Sequence, residues 1–262
     1  MTTSQAEGGA AMTMEAIATQ AAFIGLTFLL AGFVKGVVGL GLPTVAVGML
    51  GLVMPPAQAA ALLVAPSMVT NVVQLFGGPR FGQLMQRLWP MLVAICAGTW
   101  LCAAWVPAGM MTHATSALGV ALVLYAVVGL AAVKLVVPAG AQRWLGPLIG
   151  LVTGGITAVT GVFVIPAVPY LQGLGLDKES LVQALGLSFT VSTIALAVSL
   201  AMGGSLLHMP VLGASALALV PALGGMFLGQ WLRHRISAER FRKLFFCGLL
   251  VLGGELALRG LS

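Results

Sequence analysis

Acidic residues are scarce in this chain: six Asp and Glu stand against twelve Lys and Arg in 262 residues, and charged residues of both signs reach only 7%. A soluble domain carries roughly 25% charged residues, so a water-soluble globule is excluded. The few carboxylates fall in turns and near segment ends. Asp177 and Glu179 flank Lys178, Glu255 lies one helical turn before Arg259, and Glu15 precedes the first apolar run. None sits at mid-membrane, where a proton relay would need one, so an Asp/Glu proton relay is not expected. Cysteine is down to three residues, Cys96, Cys102 and Cys247, all inside apolar runs. That spacing argues against a disulfide framework, and no Cys/His pair has ligand spacing. No metal and no cofactor is expected. Residues 1–16 hold no Lys or Arg and so lack the positive region of a signal peptide; a disordered tail is expected there.

What the chain has in abundance is apolar sequence. Hydrophobic residues make up 60% and the mean hydropathy is +1.09. The apolar runs are continuous and about 20 residues long, which suits helices; a β-barrel would show alternating segments of about ten. Ten segments are predicted: 17–34, 41–54, 57–76, 88–106, 113–133, 144–160, 162–175, 180–202, 209–231 and 241–259. The second and seventh are short. Each either re-enters as a hairpin with the segment before it or crosses under strong mismatch.

The cations order these segments. Lys35, Arg80, Arg87, Lys134, Arg143, Lys178, Arg233, Arg235, Arg240, Arg242 and Lys243 all follow an odd number of segments; only Arg259 follows an even number. By the positive-inside rule the odd connections face the cytoplasm and both termini lie outside. The positive charge sits in short loops, so nucleic acid is not an expected partner. The basic run Arg233–Lys243 suits anionic lipid headgroups.

The predicted fold is an all-α polytopic membrane protein built from two inverted five-segment repeats, with broken or re-entrant first and second helices in each half. The first repeat is placed at 17–134, a cytoplasmic linker at 135–143 and the second repeat at 144–262. Ala61-Leu62 aligns with Ala184-Leu185, and Thr70 with Thr193. An odd number of segments per repeat inverts one half relative to the other.

Each half opens on a Gly-rich break. The first reads Gly32-Phe-Val-Lys-Gly-Val-Val-Gly-Leu-Gly-Leu-Pro43; the second reads Gly150-Leu-Val-Thr-Gly-Gly-Ile-Thr-Ala-Val-Thr-Gly161 and is followed by Pro166. Glycine and proline end helices, and broken backbone at membrane depth is tolerated only where it is buried in protein or lines a cavity. A pair of such breaks in matching halves points to a transporter binding site. On these two motifs, the proline after each and the small-residue third segment of each half, the chain resembles the sulfite exporter TauE/SafE family over nearly its whole length. The resemblance implies an inner-membrane transporter of small sulfur-containing anions such as sulfite, sulfoacetate or related organosulfonates. The motif departs from a fuller Gly-Gly-Gly form at Leu40, Leu42 and Val162.

The candidate substrate-binding residues gather at the breaks and on the third segments: Lys35, Gly36, Gly39, Gly41, Asn71, Gln74, Thr153, Thr157, Thr160, Gly161, Gln183 and Ser188. Lys35 has two readings. A cation beside a broken helix can hold an anion with help from a half-helix N-terminus, or it ends a span and snorkels to the surface. Its counterpart in the second motif is Thr153, so any cationic site is asymmetric. Asn71 and Gln74 share a helix face and suit sulfonate or sulfite oxygens, or serve as glue between helices. Gln183, Ser188, Thr190, Ser192 and Thr193 are their counterparts, although Ser and Thr often bond back to their own helix. His113, His208 and His234 are expected at the surface. Close glycine pairs such as Gly36/Gly39, Gly150/Gly154 and Gly225/Gly229 suit tight helix packing and are compatible with a monomer or a homodimer.

Two other classes fit the sequence less well. Gly186-Leu-Ser188 faintly resembles an intramembrane serine protease nucleophile, but His208 is expected at the opposite surface and no His-Glu-x-x-His exists. A membrane sensor subunit would need a soluble partner domain. The expectation is therefore a non-enzymatic transporter for a small anionic substrate, or for another small organic anion.

Overall fold

The computed structural model describes residues 3–105, 113–131, 136–204, 209–233, 235 and 237–260. Lys134, His208 and His234 lie outside the described residues. All regular structure among the described residues is helical: α1 (Thr3–Val38), α2 (Leu42–Leu50), α3 (Pro56–Leu75), α4 (Phe81–Trp105), α5 (Ala114–Ala131), α6 (Gln142–Thr160), α7 (Ala167–Gln172), α8 (Lys178–Met202), α9 (Met209–Leu232) and α10 (Ala238–Arg259). The ten segments thus correspond to ten helices. Six helical stretches, in α1, α3, α4, α5, α8 and α9, are long and apolar enough to cross a membrane. Large apolar side chains such as Trp105, Leu217 and Val251 are exposed on the perimeter, as lipid contact requires. The chain is a multi-pass membrane protein.

Three boundaries differ from the sequence reading. A disordered tail is the expectation for residues 1–16, whereas α1 starts at Thr3; this stretch has no proline and holds four Ala, three Met and two Glu, which favour helix. Helix α4 starts at Phe81, because Gln83, Gln86 and Arg87 lower the hydropathy of its first turns without breaking the helix. The short segments are shorter still: α2 has 9 residues and α7 only 6. Their remaining apolar residues form turns and extended chain, which hydropathy does not distinguish from helix.

Four close pairings build the bundle: α1 on α9, α4 on α6, α3 on α8 and α5 on α10. Small residues set the approach of the first two. A methyl group at Gly32 would lie 2.0 Å from the Ala222 carbonyl oxygen, and one at Gly36 would lie 2.2 Å from that of Met226. In the second pair Gly150 and Gly154 meet the Met91 and Ile95 carbonyls at 2.2 and 2.3 Å in the same way. Helices α2 and α7 fill the centre, and nearly all of α2 is buried.

Both predicted breaks exist. Helix α1 ends before Gly39-Leu40-Gly41, and Gly39 and Gly41 have φ of 84° and 108°; only glycine takes this left-handed backbone without strain. Helix α6 ends at Gly161 (φ 72°), and a non-helical stretch runs to Pro166.

Candidate functional site

Lys35 stands one turn before the end of α1. It does not snorkel: it is 4% exposed. Its Nζ donates to Thr70 Oγ1 at 3.0 Å and to Asn71 Oδ1, both on α3. Asn71 Nδ2 donates in turn to Thr193 Oγ1 on α8 at 3.2 Å, and Thr193 Oγ1 donates to the Phe189 carbonyl at 2.7 Å. A polar chain therefore runs from α1 through α3 to α8 and joins the two halves of the sequence. One turn beyond, Gln74 Nε2 donates to the Gly39 carbonyl at 2.8 Å, satisfying a backbone oxygen that the break leaves without a helical partner. The Gln74 Oε1 atom has no partner among the described residues.

The electrostatics of this cluster are one-sided. Among the described residues the three ion pairs are Arg80–Asp177, Lys243–Glu239 and Arg259–Glu255, each with both side chains roughly half exposed or more. Lys35 takes part in none of them. A buried charge is costly unless it is paired and hydrogen-bonded, and the partners of Lys35 are neutral dipoles. An ammonium has three donors, and two are used. The third has no acceptor among the described residues.

A cavity of about 270 Å³ reaches Lys35, lined by Gly36, Gly39, Thr70, Gln74, Gln230 and Arg233 among others. Gly77, Val182 and Arg233 also line a larger cavity of about 600 Å³, which adds Lys178, Arg242 and Glu179. The path to Lys35 is thus flanked by three further cations and one carboxylate. At the opposite ends of α3 and α8 lies a third cavity of about 360 Å³, lined by residues such as Ala57, Ala60, Ala103, Ala158, Leu196 and Ser199, with no charged side chain among the described residues.

The predicted residues divide into three groups. Lys35, Gly36, Gly39, Asn71 and Gln74 come together, as just described. Gly41 is packed away from the cavity, where a methyl group would lie 2.9 Å from Val34 Cγ1. In the second half, Thr157 and Thr160 donate to the Thr153 and Ile156 carbonyls of their own helix, each at 2.7 Å. Thr160 Oγ1 also accepts from the Val162 amide at 3.1 Å and so closes the break at Gly161. Thr153 and Ser188 are fully buried, and their hydroxyls have no partner among the described residues. The Gln183 amide is taken up by the α3–α4 turn. Its Nε2 donates to the Leu75 and Gly78 carbonyls at 2.9 and 2.6 Å, and its Oε1 accepts from the Arg80 amide at 2.9 Å.

Sequence reasoning did not single out Thr70, Gln230 or Arg233 as lining the site. Thr70 was legible as the neighbour of Asn71. Gln230 was legible as an amide three residues before Arg233, on the same helix face.

Outside this cluster, Asp177 caps α8 by accepting from the Ser180 amide at 3.0 Å and pairs with Arg80 at 3.2 Å. The hydrogen bonding from Ser180, with Arg80 beside it, holds its carboxyl below the usual carboxylate range. His113 is exposed. Glu255 pairs with Arg259 across one turn at 2.6 Å, as its spacing predicted. Among the described residues no His/Cys/Asp/Glu group could hold a metal ion.

A family model described as sulfite exporter TauE/SafE matches residues 24–256. No curated protein matches, and no solved structure matches.

Proposed function

The chain belongs to the sulfite exporter TauE/SafE family, a family of transporters, and from that premise we propose that it is a secondary transporter or facilitator moving sulfite, sulfoacetate or related organosulfonates across the inner membrane. The substrate anion sits against Lys35 Nζ. Thr70, Asn71 and Gln74 supply the surrounding dipoles, and Arg233 marks the entrance. One observation carries this reading: Lys35 is buried with neutral partners and lies at the end of a cavity flanked by cations. A buried charge without a counter-ion favours binding of the ion that neutralises it, and oxyanions also accept the free donors.

The orientation follows from the charge pattern. The cation-flanked cavity opens toward the basic connections, which the positive-inside rule assigns to the cytoplasm; the termini are then periplasmic. The packing supports inverted halves. If α1 is exchanged with α6 and α4 with α9, the α1–α9 pairing becomes the α6–α4 pairing, while the α3–α8 and α5–α10 pairings map onto themselves. A two-fold axis between α3 and α8 accounts for all four. On this reading the cation-flanked cavity and the uncharged cavity are the two ends of one transport route.

The test is thermal stability of purified protein against sulfite, sulfoacetate, further organosulfonates and a simple carboxylate, with Lys35→Ala alongside. A ligand at 100-fold excess over Kd stabilises by about 2.7 kcal/mol. Stabilisation of wild type by a sulfur anion, lost in Lys35→Ala, is the expected result. Stabilisation by the carboxylate alone would replace the substrate class with another small organic anion. Equal stabilisation of both proteins would remove Lys35 from the site.

A further inference from the structure

A second basic cavity lies on the same face of the protein, away from Lys35. It occupies about 510 Å³ between α4 and α6, and Arg87, Trp89, Gln142, Arg143, Gly146 and Tyr170 are among its lining residues. No carboxylate lines it. Arg87 Nε and Nη2 donate to Gln142 Oε1 at 3.1 and 3.0 Å, and Nη2 donates to the Leu174 carbonyl at 3.1 Å. These acceptors are neutral, so they orient the guanidinium without cancelling its charge. Arg143 is exposed and takes part in none of the ion pairs among the described residues.

Three further observations point to an anionic occupant. Tyr170 is 5% exposed, and its ring lies on the wall of this cavity. Its hydroxyl has no hydrogen-bond partner among the described residues. Gly146 faces that hydroxyl, and a methyl group there would come within 3.1 Å of the oxygen; glycine leaves the phenol open to the cavity. The flanking indoles fix the kind of anion. Trp89 and Trp144 are 57% and 62% exposed, and exposed tryptophans beside basic residues mark the headgroup level of a bilayer. Basic pockets between membrane helices at that level bind acidic headgroups.

We propose that the Arg87–Arg143–Tyr170 cavity between α4 and α6 is a binding site for the phosphodiester of an anionic phospholipid. The two guanidiniums and the phenol donate to the phosphate oxygens, and the acyl chains lie along the exposed faces of α4 and α6. The site uses no residue of the Lys35 cavity, so the two assignments stand or fall separately.

The test is native mass spectrometry and thermal stability of the purified protein with phosphatidylglycerol, with phosphatidylcholine, and with inorganic phosphate alone. Wild type is expected to retain phosphatidylglycerol in preference to phosphatidylcholine and to be stabilised by it, while phosphate alone has no effect. Arg143→Gln is expected to weaken phosphatidylglycerol binding about fivefold, the effect of one basic residue at an anionic surface, and to leave the sulfur-anion response unchanged. Arg143 is exposed and has no hydrogen bond or ion pair among the described residues, so its variant decides the matter even where Arg87→Gln fails to fold. Tyr170→Phe, which keeps the ring, should weaken binding by a smaller factor. Equal retention of both lipids, full stabilisation by phosphate alone, or undiminished lipid binding by Arg143→Gln would each overturn the proposal.

Discussion

The two helix breaks share a design and differ in what they leave unfinished. At Gly161 the freed groups are satisfied within the same stretch: Thr157 and Thr160 bond to carbonyls of α6, and Thr160 accepts from Val162. At Gly39 the polar groups reach other elements instead. Lys35 bonds to α3, Gln74 of α3 returns to Gly39, and Asn71 passes the connection to α8. The proposed site lies at the break that holds a buried lysine with neutral partners. The cavities repeat the contrast, one flanked by Lys35, Arg233 and Arg242 and the other without charge.

The largest effect should come from removing the cation at the first break. Lys35→Ala is expected to lower the rate of sulfur-anion uptake by proteoliposomes about ten- to hundredfold, the worth of a charged hydrogen bond at roughly 1.5–3 kcal/mol. An unchanged rate would make the two breaks equivalent. Gln183→Leu should act on stability and not on affinity. It strands the Leu75 and Gly78 carbonyls and the Arg80 amide, at a cost of about 1–3 kcal/mol, and denaturation of the variant with and without anion separates the two effects. Thr153→Val, at the position that answers to Lys35, is expected to change anion affinity by less than about twofold; a larger loss in a binding titration would bring the second break into the site.

The smallest effect concerns acid. The Asp177 carboxyl is held below its ordinary range in the folded protein. Its contribution is therefore fully present above the unfolded value, about 3.9, and is lost as pH falls through the lower folded value. Thermal midpoints should fall at low pH by slightly more in wild type than in Asp177→Ala.

Much of the fold was legible because lipid imposes a simple rule: long apolar runs must be helices. The positions of all ten elements followed from that rule, and the breaks followed from glycine and proline. The lengths of α2 and α7 did not, since buried extended chain and buried helix have the same composition. Lys35 shows the limit for the site. Counting residues along α1 places it at the membrane surface, yet it is buried, because the chain doubles back through α2 and α3 packs across it. Asn71 and Gln74 stood out because amides are conspicuous among apolar neighbours. Thr70 did not, since a threonine in such a helix usually bonds to its own backbone, and this one does so as well, donating to the Pro66 carbonyl at 2.7 Å. Gln183 was conspicuous for the same reason as Asn71, but its partners in the α3–α4 turn lie 108 and 105 residues away in sequence.

The most direct test of the uncompensated charge is to compensate it. Asn71→Asp keeps the size of the side chain and its contact with Lys35 Nζ, and gives the ammonium a carboxylate of its own. The expected result is a folded protein, at least as stable as wild type without ligand, in which sulfite and organosulfonates no longer raise the thermal midpoint. A full anion-dependent shift in Asn71→Asp would show that the substrate does not depend on the unpaired charge of Lys35.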